Sequence, residues 1–148
     1  MANTFGTTSR TIRTIINSQA TVVVNEKSVG ETMYPGHVVF LNSLSKFMLQ
    51  GASVYPVQMQ VLQENDFEGQ GIDDTLGTSD IGRAAVLRSG DRFYCRLAAS
   101  QTLKIGDTLG LASGGVFTAS GGSNLAAVKC LATATSSSAN DLLLVEVL

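Results

Sequence analysis

The stretch Leu103-Lys104-Ile105-Gly106-Asp107-Thr108-Leu109-Gly110-Leu111-Ala112-Ser113-Gly114-Gly115-Val116-Phe117-Thr118 decides the fold. Three short apolar runs are separated by Gly-Asp and by Ser-Gly-Gly, residues that supply tight turns at low steric cost. The rhythm continues to the C-terminus. Ser120-Gly121-Gly122-Ser123-Asn124 leads into Leu125-Ala126-Ala127-Val128-Lys129-Cys130-Leu131-Ala132, and Ser136-Ser137-Ser138-Ala139-Asn140-Asp141 into Leu142-Leu143-Leu144-Val145-Glu146-Val147. Short runs with turns recurring every 8–12 residues or so predict an all-β sandwich or compact barrel of antiparallel strands.

Upstream the same period of two recurs. Val57-Gln58-Met59-Gln60-Val61-Leu62-Gln63 alternates, which predicts a strand burying Val57, Met59 and Val61 on one face. Thr21-Val22-Val23-Val24 is a β-branched run and reads as a strand, with Asn25-Glu26-Lys27-Ser28 either a turn or its polar continuation. Tyr34-Pro35-Gly36 is a turn, from which His37-Val38-Val39-Phe40-Leu41 leaves as a strand. Residues 43–50 fit either a helical turn or a strand. Ala85-Val86-Leu87-Arg88 and Arg92-Phe93-Tyr94-Cys95-Arg96-Leu97-Ala98 flank Ser89-Gly90-Asp91, a hairpin signal.

The chain has 148 residues, 44% hydrophobic and 15% charged, with net charge −2. One domain with a buried core follows, and a largely disordered chain is excluded. No basic field exists for nucleic acid, and no long apolar run exists to cross a membrane. The organisation predicted is an extended N-terminal arm over 1–13 and a single β-rich domain over 14–148.

Charge gathers in one place: residues 64–91 carry seven acids and two bases. The segment from Glu64 to Asp80 is poor in apolar residues and reads as a long acidic loop. Glu64-Asn65-Asp66-Phe67-Glu68 and Asp73-Asp74 offer oxygens, but their spacing departs from that of a calcium-binding loop, so a solvated or docking role is expected and no metal. His37 is the only His, without an adjacent acid other than Glu31, so no nucleophile–base pair is expected. Cys95 and Cys130 are expected to be free buried thiols. Gly114-Gly115 and Gly121-Gly122 read as turns rather than phosphate loops. No catalytic group, metal or cofactor is therefore predicted.

Two resemblances bear on function. Gly71-Ile72-Asp73-Asp74-Thr75-Leu76-Gly77 is similar to the substrate loop of dUTP pyrophosphatases, which are trimeric β proteins, with Leu76 where those enzymes stack a Tyr on uracil. That resemblance implies a nucleotide hydrolase as the alternative. The broader one spans roughly the C-terminal two thirds of the chain. Gly69-Gln70-Gly71-Ile72-Asp73-Asp74, Gly90-Asp91-Arg92-Phe93-Tyr94, Ala99-Ser100-Gln101-Thr102-Leu103-Lys104-Ile105-Gly106-Asp107-Thr108-Leu109 and the terminal Val145-Glu146-Val147 resemble head decoration, or cement, proteins of tailed bacteriophages.

The resemblance implies a non-enzymatic structural protein, made in the host cytoplasm and carried on the outside of the phage head. It implies the major capsid protein as partner and a homotrimer, with a dimer or another virion location, such as tail or neck, as alternatives. Residues 1–13 hold two Arg, four Thr and no acid. They are expected to order on a neighbour, pairing along an open sheet edge over residues 11–16. Arg10, Thr11, Ile12 and Arg13, with the loop acids Asp66, Glu68, Asp73 and Asp74 of an adjacent copy, are the expected interface residues.

Overall fold

The computed structural model describes residues 13–17, 23–51, 58–65, 68–121 and 125–148. Among them the chain forms thirteen strands and no α-helix. The first large sheet holds β2 (Val23–Ser28), β3 (Val38–Leu41), β4 (Phe47–Leu49), β5 (Met59–Gln63) and β6 (Ile81–Leu87), in the order β2-β6-β5-β3-β4. The second holds β1 (Ile15–Asn17), β7 (Arg92–Arg96), β9 (Thr108–Leu111), β10 (Phe117–Ala119), β11 (Val128–Cys130) and β13 (Leu142–Val147), in the order β1-β7-β13-β11-β9-β10. β8 (Gln101–Leu103) and β12 (Ala134–Ser136) make a two-stranded third sheet. All strand pairs are antiparallel, and of the two forms the turn rhythm allows the arrangement is sandwich-like rather than a closed barrel.

Asn25 to Ser28 continue β2, and residues 47–49 are strand, not helix. Met59 and Val61 face the shared core, as the alternation predicts, while Val57 lies outside the described residues. Leu62, on the opposite face, is fully buried in a second cluster, so β5 buries both faces rather than one. Ser89-Gly90-Asp91 does not close a hairpin, because β6 and β7 lie in different sheets. Asp91 bonds back to Arg88, closing a tight turn at Gly90 (φ 91°). Gly90 N–H then donates to Val147 O (2.8 Å) and Val147 N–H to Asp91 O (2.9 Å), which draws the chain onto β13 instead of β6.

The two large sheets are one module built twice, residues 23–87 and 92–147. The order β4-β3-β5-β6-β2 repeats as β10-β9-β11-β13-β7. In each copy the sheet curls until its outer strands touch at one parallel bridge, Val29 with Phe47 and Leu97 with Phe117. Gly30 donates to Phe47 O (2.9 Å) as Ala98 does to Phe117 O (2.8 Å). Val29 donates to Asp80 O (2.9 Å) as Leu97 does to Asp141 O (2.8 Å). Gly36 donates to Leu62 O (2.7 Å) as Gly106 does to Cys130 O (2.9 Å). Ser79 and Asn140, both at positive φ, close the matching turns.

Each module fills its interior with equivalent side chains. Val29, Met33, Val39, Phe47, Leu62 and Ala84 form the smaller core, and Leu97, Leu103, Leu109, Phe117, Cys130 and Val145 their counterparts within the larger one. The modules differ on the outer face of the sheet. In the first, Val38, Val61 and Ala85 are buried and join the larger core. In the second, the equivalent positions are Thr108, Lys129 and Glu146. There Glu146 pairs across strands with Arg92 (3.1 Å) and Lys129 (3.4 Å), partly open to solvent. One copy of the face is apolar and docks against the second module; the other is charged and meets water.

Candidate functional site

The acidic loop is held by its own sequence. Ile72 and Leu76 are fully buried, and Leu76 makes a two-way bridge with Met33 (3.0 and 2.8 Å). Leu76 therefore contributes to the core at the position where the dUTP pyrophosphatase resemblance places a stacking ring. Asp74 accepts the Gly71 N–H (2.8 Å) and donates its own N–H to Gly71 O (3.1 Å). Asp80 does the same with Gly77, Asp91 with Arg88, and Asp107 with Lys104. Four carboxylates are thus turn acceptors, each consumed three residues along from its donor.

Of the expected interface residues, Arg10, Thr11, Ile12 and Asp66 lie outside the described residues. Glu68 is exposed, and Asp73 is half-buried in the loop. Arg13 lies 3.7 Å from Glu64 of its own chain, whose carboxylate also accepts the Thr14 N–H (3.0 Å) and hydroxyl (2.6 Å). The part of the extended segment that is described lies at a sheet edge of its own chain: Ile15 stands opposite Phe93, and Tyr94 N–H donates to Thr14 O (2.8 Å). The reason is Glu64, nearly buried at the loop's start, which fixes Thr14 beside β7 before the chain can leave the body.

Sequence reasoning missed a polar joint between the modules. Arg96 is 3% exposed. Its guanidinium donates to Pro35 O (2.7 Å), Asn140 O (2.9 Å) and Ile72 O, and lies over the Tyr34 ring at 5.0 Å. His37 occupies the turn position that Asp107 holds in the second module. Its Nδ1 accepts the Tyr34 N–H (2.9 Å), so the proton sits on Nε2, which donates to Asn140 Oδ1 (2.9 Å). Burial, with a smaller contribution from the Arg96 charge, lowers the His37 pKa from 6.5 to about 4, against the opposing Asn140 bond.

The direction of the pH dependence follows. Above about pH 6.5 His37 is neutral in both states and the joint has its full stability. As pH falls from 6.5 toward 4 only the unfolded chain takes the proton, and stability drops by on the order of 3 kcal/mol from this group. Urea unfolding between pH 7 and 4 should show that loss. In His37→Asn, whose side-chain oxygen accepts the Tyr34 N–H without titrating, this contribution should be absent.

Cys95 and Cys130 are free and buried as expected, and burial raises both thiol pKa values, which disfavours the thiolate. Among the described residues no three His, Cys, Asp or Glu side chains come together in a group that could hold a metal ion.

Among the described residues the exposed large apolar side chains are scattered, with Ile16, Ile81, Ile105, Leu125 and Leu148 apart from one another, but three stand together on one hairpin. Phe40 is 39%, Leu41 38% and Leu44 75% exposed at the tip of the β3–β4 hairpin. The tip is braced: Asn42 Oδ1 accepts from Leu44 N–H (2.9 Å) and Lys46 N–H (3.0 Å), and Asn42 N–H donates to Lys46 O (3.0 Å). The matching tip in the second module carries Gly110, a buried Leu111 and Gly114. The only sequence signal for this surface was Leu44 standing between Ser43 and Ser45 in a turn. No protein-family model and no curated protein matches this chain.

Proposed function

We propose that this chain is a non-enzymatic virion protein that decorates the outside of a bacteriophage head and bridges neighbouring major-capsid subunits. The observation that carries the reading is the braced apolar hairpin tip, Phe40, Leu41 and Leu44, on a body whose turn acids are spent on its own backbone. Rigid exposed apolar groups suit a partner with a complementary hollow, and they lose little entropy on binding. The Gly-Asp turns that carry the resemblance to decoration proteins support the same reading, since Gly90-Asp91 and Gly106-Asp107 are the devices that place the strands. As a homotrimer the protein would present three such tips, and joint engagement raises avidity without any strong single contact.

The test is co-sedimentation with purified heads stripped of the protein, followed by heating. The wild-type chain should bind and raise the temperature at which heads rupture. Leu44→Asp should weaken binding at least tenfold while leaving the melting temperature of the free protein unchanged, because the side chain is exposed. Full decoration by Leu44→Asp and Phe40→Asp would remove the tip from the interface, and no binding by the wild-type chain would remove the capsid reading.

A further inference from the structure

We propose that the outer edge of β2 is a strand-acceptor site, filled by residues 1–12 of a second copy of this chain. The inference rests on the internal repeat and not on the capsid reading. In the second module the outer edge of β7 is occupied by β1, with Ile15 opposite Phe93 and Tyr94 N–H donating to Thr14 O (2.8 Å). The counterpart of β7 is β2, which meets β4 only at the Val29–Phe47 bridge past its end and has no strand laddered along its outer edge among the described residues. The direction of its donors can be read from the ladder. Leu97 N–H points inward to Asp141 O, and Tyr94, three residues earlier, points outward. Val29 N–H points inward to Asp80 O, so Glu26 N–H, three residues earlier, points outward, as do those of Val24 and Ser28.

The chemistry of the edge selects the occupant. Two β2 edges pairing with each other in a register centred on Glu26 or Lys27 would set like charges opposite one another, which is destabilising. Residues 1–12 have no acid, one base at Arg10, and Thr4, Thr7, Thr8, Thr11 and Ile12 as β-branched strand formers. Arg10 would add a second cation beside Glu26, whose carboxylate is 56% exposed and lies 2.9 Å from Arg83 of its own chain. Twelve extended residues reach about 40 Å, enough to cross to a neighbouring copy. The anchor at Arg13 and Thr14 starts that reach from the β7 edge, on the other sheet from the β2 edge of the same chain.

The experiment uses the protein alone at micromolar concentration. Sedimentation velocity should show an oligomer that becomes at least tenfold weaker when residues 1–12 are deleted. Amide exchange at Glu26 should be at least tenfold slower in the full chain than in the deleted one. Glu26→Pro, which removes an outward donor together with the Glu26 carboxylate, should reproduce the deletion; if that variant does not fold, the exchange comparison decides. Size-tagged copies carrying Thr4→Cys, Thr8→Cys or Thr11→Cys should form disulfides with untagged copies carrying Lys27→Cys. A monomeric full chain, an oligomer indifferent to deletion of 1–12, or cross-links formed only within one chain would each overturn the proposal. Because no capsid is present, these outcomes are separate from the fate of the decoration reading.

Discussion

Arg96→Ala should lower the unfolding free energy by about 3–5 kcal/mol, as urea denaturation at pH 7 would measure. Three carbonyls from separate segments, Pro35, Ile72 and Asn140, take their hydrogen bonds from this one buried guanidinium. Removing it leaves the buried Pro35 and Ile72 carbonyls without a donor, and each such orphan costs about 1–3 kcal/mol. The loss also uncouples three parts of the fold: the Tyr34 turn of the first module, the 64–80 loop and the Asn140 turn of the second. Arg96→Lys should recover less than half of the loss, since an ammonium on a flexible stem cannot present the planar fork that meets three directions at once. A loss under about 1 kcal/mol for the alanine variant would show that the carbonyls find other donors.

The strands were legible because their signals are local. Alternation at Met59 and Val61 and the Pro-Gly turn before Val38 each fix one element from its own residues. Partner choice is not local. Ser89-Gly90-Asp91 has hairpin chemistry, yet the same turn serves a crossing between sheets, and the hydrogen bonds from β13 decide which. The repeat was hidden for a related reason. From Tyr34 to Phe47 and from Lys104 to Phe117 the shared residues are few: Gly36 with Gly106, Leu41 with Leu111, Ser43 with Ser113, and Phe47 with Phe117. What repeats is backbone hydrogen bonding, which any side chain of suitable size permits.

Two features of the site divide in the same way. The spacing of Asp74, Asp80, Asp91 and Asp107 three residues after their donors is in the sequence, and it separates turn acids from docking acids. The Arg96 joint draws on residues 35, 72 and 140, which no spacing connects. Arg13 likewise finds Glu64 only because the fold returns the loop's start to the first strand.

Gly115→Ser should destabilise the protein by about 2–4 kcal/mol, through strain and overpacking together. The repeat supplies the control. Gly115 (φ 70°) corresponds to Ser45 (φ 57°) at the tip of the first module's hairpin, where a serine sits in the same left-handed conformation with its side chain in solvent. The backbone shape alone therefore tolerates serine at this position of the module. At Gly115 the surroundings differ, because this tip is docked on the first module. Val38 N–H donates to Gly115 O (2.9 Å) and Gly115 N–H to Gln50 O (2.8 Å). A Cβ there would stand 2.5 Å from Val38 O, closer than packed atoms approach, and a tight 3.2 Å from Leu49 Cδ2. At Gly114 (φ 86°) a Cβ meets nothing within 4 Å, so Gly114→Ala should cost only the conformational strain, on the order of 1 kcal/mol. Ser45→Gly should change stability by less than about 1 kcal/mol. Thermal and urea unfolding of the three variants would separate strain from contact. Equal losses for Gly114→Ala and Gly115→Ser would mean that the two modules part at this joint without cost, and that the docked hairpin contributes nothing to holding them together.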